Sequence, residues 1–148
     1  MDHEPLYLVD ASIYIFRGYY SIPDTFVSRD GTQVNAVYGY TNFLLDLLGG
    51  VRPRYVSVAF DENLITCFRN RIYPDYKGNR DLPDENLLYQ MQQCQRVTGL
   101  LGCHSLTIED YEADDIIGSL KRRFGEGRQG PGRQDFRRYQ RDGCPRER

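Results

Sequence analysis

Residues 55–60 read YVSVAF and run into Asp61; residues 6–9 read LYLV and run into Asp10. Each is a short apolar stretch rich in strand-forming residues, and each ends on an aspartate. Working outward, residues 37–48 carry Val37, Tyr40, Phe43, Leu44, Leu47 and Leu48 at helical spacing, with Gly49-Gly50 as the expected stop. Residues 86–101 form a second helical stretch stopped by Gly102, and residues 105–108 a third short strand. Residues 112–124 form an amphipathic helix with Ala113, Ile116, Ile117, Leu120 and Phe124 on one side. Strand, helix, strand, helix, strand, helix predicts an α/β fold with a parallel sheet. The first connection is read as a loop around Pro23, Asp30 and Gly31.

At 148 residues the chain is long enough for one domain with a real core. No apolar run approaches the roughly 18 residues of a membrane span, and the acidic start is not a secretory signal. Cys67, Cys94, Cys103 and Cys144 form no CxxC pair and no Cys/His cluster, so they are read as free thiols of a cytoplasmic protein. The net charge of −2 hides an asymmetry: residues 1–120 hold nine basic and 17 acidic side chains, residues 121–148 ten basic and four acidic. An acidic body is unusual for a nucleic-acid binder, so its carboxylates are either gathered for a purpose or simply solvated.

In open parallel sheets, sites form beyond the carboxyl ends of the strands. Asp10 and Asp61 occupy those ends, and Glu112, Asp114 and Asp115 crowd a helix start. Taken singly, each has a structural explanation: aspartates form turns, and helix dipoles favour acids in the first turn. Together, five converging carboxylates repel one another unless cations neutralise them. Oxygen-only ligands suit Mg²⁺ or Mn²⁺, and paired ions stabilise phosphodiester cleavage. Residues 68–80, FRNRIYPDYKGNR, set Arg69, Arg71, Lys77 and Arg80 among Tyr73 and Tyr76, with Asp75 as the one acid. Basic side chains hold phosphates and aromatics stack on unpaired bases, although a solvated loop has the same composition. Arg17, in YIFRGYY, is a weaker candidate of the same kind.

The segments LYLVDAS, IYIFRGYY, NAVYGYTNFLLDLL, VAFDE, FRNRIYPDYKGNRDLP and YEADDIIGSL occur in an order that resembles the 5′-nuclease domain of bacterial DNA polymerase I and its free-standing relatives. These belong to the flap endonuclease superfamily. The resemblance covers about residues 5–124 and implies a PIN-like, three-layer α/β core. It implies that Asp10, Asp61, Glu112, Asp114 and Asp115 are carboxylates of a two-metal site whose second ion depends mainly on later aspartates. It gives Lys77 and Arg80 the role of helical-arch residues acting on the scissile phosphate, and Arg17 that of a phosphate contact. The implied reaction is metal-dependent hydrolysis of DNA, sometimes RNA, at a 5′ end or flap.

After residue 124 the character changes. Residues 125–148 hold five glycines, seven arginines and only Phe136, Tyr139 and Cys144 as apolar or aromatic residues, too few to form a core. The resemblance would continue with a strand ending in Ser-Gly-x-Asp and further metal-site aspartates; Asp135 and Asp142 follow no apolar strand. The tail is therefore expected to be disordered, or to arise from a frame change near Arg133 that leaves the core and the second metal site incomplete. Three functions compete on these grounds: a 5′-nuclease, an inactive nuclease-derived DNA-binding fragment, and a phosphate-handling receiver-like α/β domain. The basic segment has no place in the last.

Overall fold

The computed structural model describes residues 5–81 and 83–124; the 125–148 tail and Cys144 lie outside them. Three parallel strands, β1 (Leu6–Asp10), β2 (Tyr55–Ala59) and β3 (His104–Leu106), lie in the order β1-β2-β3. The register sets Asp10 beside Ala59, so the strand-end aspartates leave the same edge of the sheet.

The sheet separates two apolar layers, because alternate residues along a strand face opposite sides. Val9, Val56 and Val58 face one side. There they pack with Ala11 and Ile15 of α1 (Ala11–Ser21), Ala36, Tyr40 and Leu44 of α2 (Asn35–Asp46), and Leu87, Met91 and Cys94 of α4 (Glu85–Leu100). Leu6, Leu8, Ala59 and Leu106 face the other side, against Ala113, Ile116 and Leu120 of α5 (Ala113–Phe124). Helices on both faces of a parallel sheet make the three layers expected.

Several local expectations are corrected. The segment after Asp10 is a helix, α1, where a loop is expected. Its aromatic and β-branched residues are weak helix formers, but Ala11, Ser12, Ile15 and Gly18 make one buried face. Gly49-Gly50 does not stop α2: residues Leu47–Val51 continue as a π-helical turn, ended by Arg52 in the left-handed region at φ 51°. The basic segment opens with a short helix, α3 (Arg69–Ile72), and continues as turns through residue 80, not as a helical arch. Cys67, Cys94 and Cys103 are free and buried, as expected, and burial pushes the Cys94 thiol up to about 12.

Candidate active site

Asp10 turns the chain from β1 into α1. Its Oδ1 accepts the Ser12 N–H at 2.9 Å, the bond an N-cap aspartate makes to a free first-turn amide. Asp61, two residues beyond β2, joins two helix starts. Its Oδ2 accepts from Ser12 Oγ at 2.6 Å and its Oδ1 from the Ala113 N–H, the first residue of α5, at 2.7 Å. Asp114 projects from the exposed side of that same first turn. Burial first, then repulsion from Asp61 and Asp114, holds the Asp10 pKa above its ordinary value despite the Ser12 amide.

Glu112 and Asp115 have different company. The Arg69 guanidinium donates from Nη1 to Asp115 Oδ2 at 2.8 Å and from Nη2 to Asp115 Oδ1 at 2.5 Å, a two-pronged bond. Its Nη1 also reaches Glu112 Oε2 at 2.9 Å. Lys77 Nζ pairs with Glu112 Oε1, and Tyr76 OH donates to Glu112 Oε2 at 3.2 Å. Asp115 further accepts the Glu112 N–H at 3.1 Å, the return half of a capping box. Burial alone would raise the Asp115 pKa; the Arg69 bonds, the Glu112 amide and the charges of Arg69 and Lys77 outweigh it and hold the carboxyl below its ordinary value.

The five carboxylates thus divide into an aspartate trio and a cation-bound pair. Among the described residues, no three His, Cys, Asp or Glu side chains are gathered into one coordination shell. Of the basic candidates, Arg69 and Lys77 meet the carboxylates, and Tyr76 joins them. Arg71 pairs instead with Asp110, while Tyr73 and Arg80 are exposed. Arg17 lies apart, in a groove of about 320 Å³ between α1 and α2 that it lines with Ser21, Asn42 and Asp46; none of the five carboxylates lines it. The sequence reading missed Ser12, whose hydroxyl orients Asp61. The spacing Asp10-x-Ser12 was a usable signal, since aspartate commonly bonds the amide two residues on.

The chain matches the family model described as "5'-3' exonuclease, N-terminal resolvase-like domain" over residues 5–131. It is 38% identical over 116 residues to DNA polymerase I of Mycobacterium tuberculosis, covering 78% of this chain and 13% of that protein. To the 5'-3' exonuclease of Aquifex aeolicus it is 34% identical over 121 residues, covering 82% of this chain and 41% of the relative. It therefore spans less than half the length of these curated relatives. Among solved structures, bacteriophage T5 5'-exonuclease with bound zinc superposes with a TM-score of 0.59 at 20% identity, covering 81% of this chain and 44% of that one. A bacteriophage T5 flap endonuclease complex with DNA and metal ions superposes at 0.53 and 25% identity, with the same coverage. The parallel PIN-like core, the carboxylates at its carboxyl edge and the family match agree: this chain belongs to the 5′-3′ exonuclease family, through its amino-terminal resolvase-like domain.

Proposed function

We propose that the chain is the amino-terminal part of a nuclease that uses Mg²⁺ or Mn²⁺ to hydrolyse DNA phosphodiesters at 5′ ends or flap junctions, in repair or replication in the cytoplasm. The observation that carries this reading is the placing of Asp10 and Asp61 at the carboxyl edge of a parallel sheet, with Asp61 tied to the first turn of α5, which carries Asp114, and the basic segment docked on Glu112 just before that turn. The T5 flap endonuclease complex, which contains DNA and metal ions, lends further support. RNA with a free 5′ end is the second substrate class. No described helix is long and apolar enough to cross a membrane.

The donor chemistry fits a hard divalent cation, which would have to draw the three carboxylates of the trio into one shell. The donors are all carboxylate oxygens, and the repulsion that Asp10 feels from Asp61 and Asp114 is what such a cation relieves. Asp10, Asp61 and Asp114 would hold it; when bound, it supplies Lewis acidity to the phosphodiester and to water. The chain's own residues do the rest. Ser12 and the Ala113 amide orient Asp61. Lys77 and Arg80 offer positive charge to the scissile phosphate, and Arg69 and Arg71 to the strand, with Arg17 as a more distant phosphate contact. Tyr73 and Tyr76 offer faces on which unpaired bases stack.

A second reading, a nuclease-derived module that holds DNA without cutting it, is favoured by the complete engagement of Glu112 and Asp115 by protein groups. A 5′-flap substrate separates the two. Cleavage in Mn²⁺ supports the nuclease. Binding in Ca²⁺ without cleavage in Mn²⁺ supports the module, and neither result leaves both readings without support.

A further inference from the structure

Every carboxylate oxygen of Glu112 and Asp115 has a partner, and most of the partners are cations of the basic segment. Arg69 takes both oxygens of Asp115 and one of Glu112; Lys77 takes the other oxygen of Glu112. The arrangement is partly buried, the Glu112 and Asp115 side chains being 13% and 18% exposed. Rings frame it: the Arg69 guanidinium lies 4.7 Å from the Phe68 centroid and 5.8 Å from that of Tyr76, and Lys77 Nζ lies 5.4 Å from the Tyr76 centroid. Lys77 reaches Glu112 from the left-handed backbone region, at φ 59°, a conformation that costs a residue with a side chain energy and is often found in switch segments. Beyond Lys77, residues 78–80 are exposed and turn-like, so little else fastens this end of the segment.

Glu112 and Asp115 also belong to the candidate metal carboxylates. Arg69 and Lys77 take at least one lone pair on every oxygen and set two positive charges where a cation would bind, so the two uses compete. We propose that Arg69 and Lys77 are internal counter-ions that close the basic segment onto Glu112 and Asp115 when no divalent cation is bound. A cation that takes these carboxylates releases both side chains, and the freed charges then face phosphate. Metal loading and DNA engagement are thereby coupled, and by linkage DNA that draws Lys77 away tightens cation binding by the same factor. The inference rests on the nuclease reading above and extends its cation site from Asp10, Asp61 and Asp114 to Glu112 and Asp115.

The chain's composition offers a direct probe, since Lys77 and Lys121 are its two lysines. Reductive ¹³C-methylation of the whole chain gives separate signals for these and for the terminal amine, and Lys77→Gln assigns one by removing it. Titration with Mg²⁺ is expected to move the Lys77 signal with the midpoint measured by calorimetry and to leave Lys121 in place. Arg69→Gln and Lys77→Gln should each tighten Mg²⁺ binding about fivefold or more. Arg71→Gln, which removes a nearby charge paired with Asp110, should not, and so controls for charge alone. A stationary Lys77 signal at calorimetric saturation overturns the inference while leaving the metal reading intact. Weaker Mg²⁺ binding in Arg69→Gln overturns it too, because Arg69 would then be holding the ligands in place. If the parent chain shows neither heat nor any moving signal, the metal reading fails and this inference falls with it.

Discussion

Asp61 binds Ser12 Oγ with one oxygen and the Ala113 amide with the other, so it ties the starts of α1 and α5 to the end of β2. Asp10 caps α1 one strand away. Asparagine at both positions keeps the shape but removes two of the proposed charged ligands. Asp10→Asn with Asp61→Asn is expected to weaken Mn²⁺ binding by more than about tenfold; unchanged affinity by calorimetry would exclude the strand-end site. The basic residues divide by their partners. Arg80 is exposed, whereas Lys77 is held by Glu112. In metal-free buffer, Arg80→Ala should flatten the salt dependence of single-stranded DNA binding by about 0.7 logarithmic units per lost phosphate contact, and Lys77→Ala by less. Equal slopes for the two variants would show that the Lys77 pair does not persist in solution.

At the level of elements, α1 and α2 approach closely because glycines line their crossing. A Cβ placed on Gly18 would lie 3.1 Å from both the Cα and the carbonyl oxygen of Ala36, and backbone cannot turn aside as a side chain can. Gly18→Ala is therefore expected to cost about 1–3 kcal/mol, read from the urea midpoint at unchanged slope. The start of α2 is capped from another helix. Val34 makes no side-chain cap; instead Gln90 of α4 accepts the Ala36 N–H at 2.7 Å and the Val37 N–H at 3.2 Å. Its amide donates to Asn35 at 3.0 Å and Asn86 at 2.7 Å. Gln90→Leu fills similar space but leaves the buried donors unpaired, at about 1–3 kcal/mol for each group that water cannot reach. Hydrogen exchange at Ala36 and Val37 should accelerate, and unchanged exchange there would count against this cap.

For the whole molecule, the sheet divides the core unequally. The α1, α2 and α4 side buries the larger cluster, and α5 is held by the smaller one built on Ala59, Leu106, Ile108, Ala113, Ile116 and Leu120. That smaller layer carries Asp114 and Asp115, two of the five candidate carboxylates. Ile116, fully buried, is a lever on it. Ile116→Ala should cost about 2–5 kcal/mol and raise exchange along α5 more than Leu44→Ala, which opens a cavity on the opposite face. Equal effects of the two substitutions on α5 would show that the layers do not loosen separately.

The sequence by itself determined the parallel α/β class, the aspartates at the strand ends and the composition of both the acidic cluster and the basic segment. These are local properties: strand runs, helical periodicity and the residues that end them depend on near neighbours. Helix α1 escaped because its buried face is formed by small residues apart from Ile15, and the close packing of Gly18 on Ala36 and Asn35 of α2 is a tertiary contact. The π-turn over Gly49-Gly50 escaped because glycine permits a helix end without requiring one. Only the tertiary structure decided which charges meet. It separated Asp10, Asp61 and Asp114 from Glu112 and Asp115, and it set Arg69 and Lys77 on that second pair across 46 and 35 residues of chain. Charge pairing of this kind acts through space between side chains that the sheet order brings to one edge, and no spacing along the sequence encodes it.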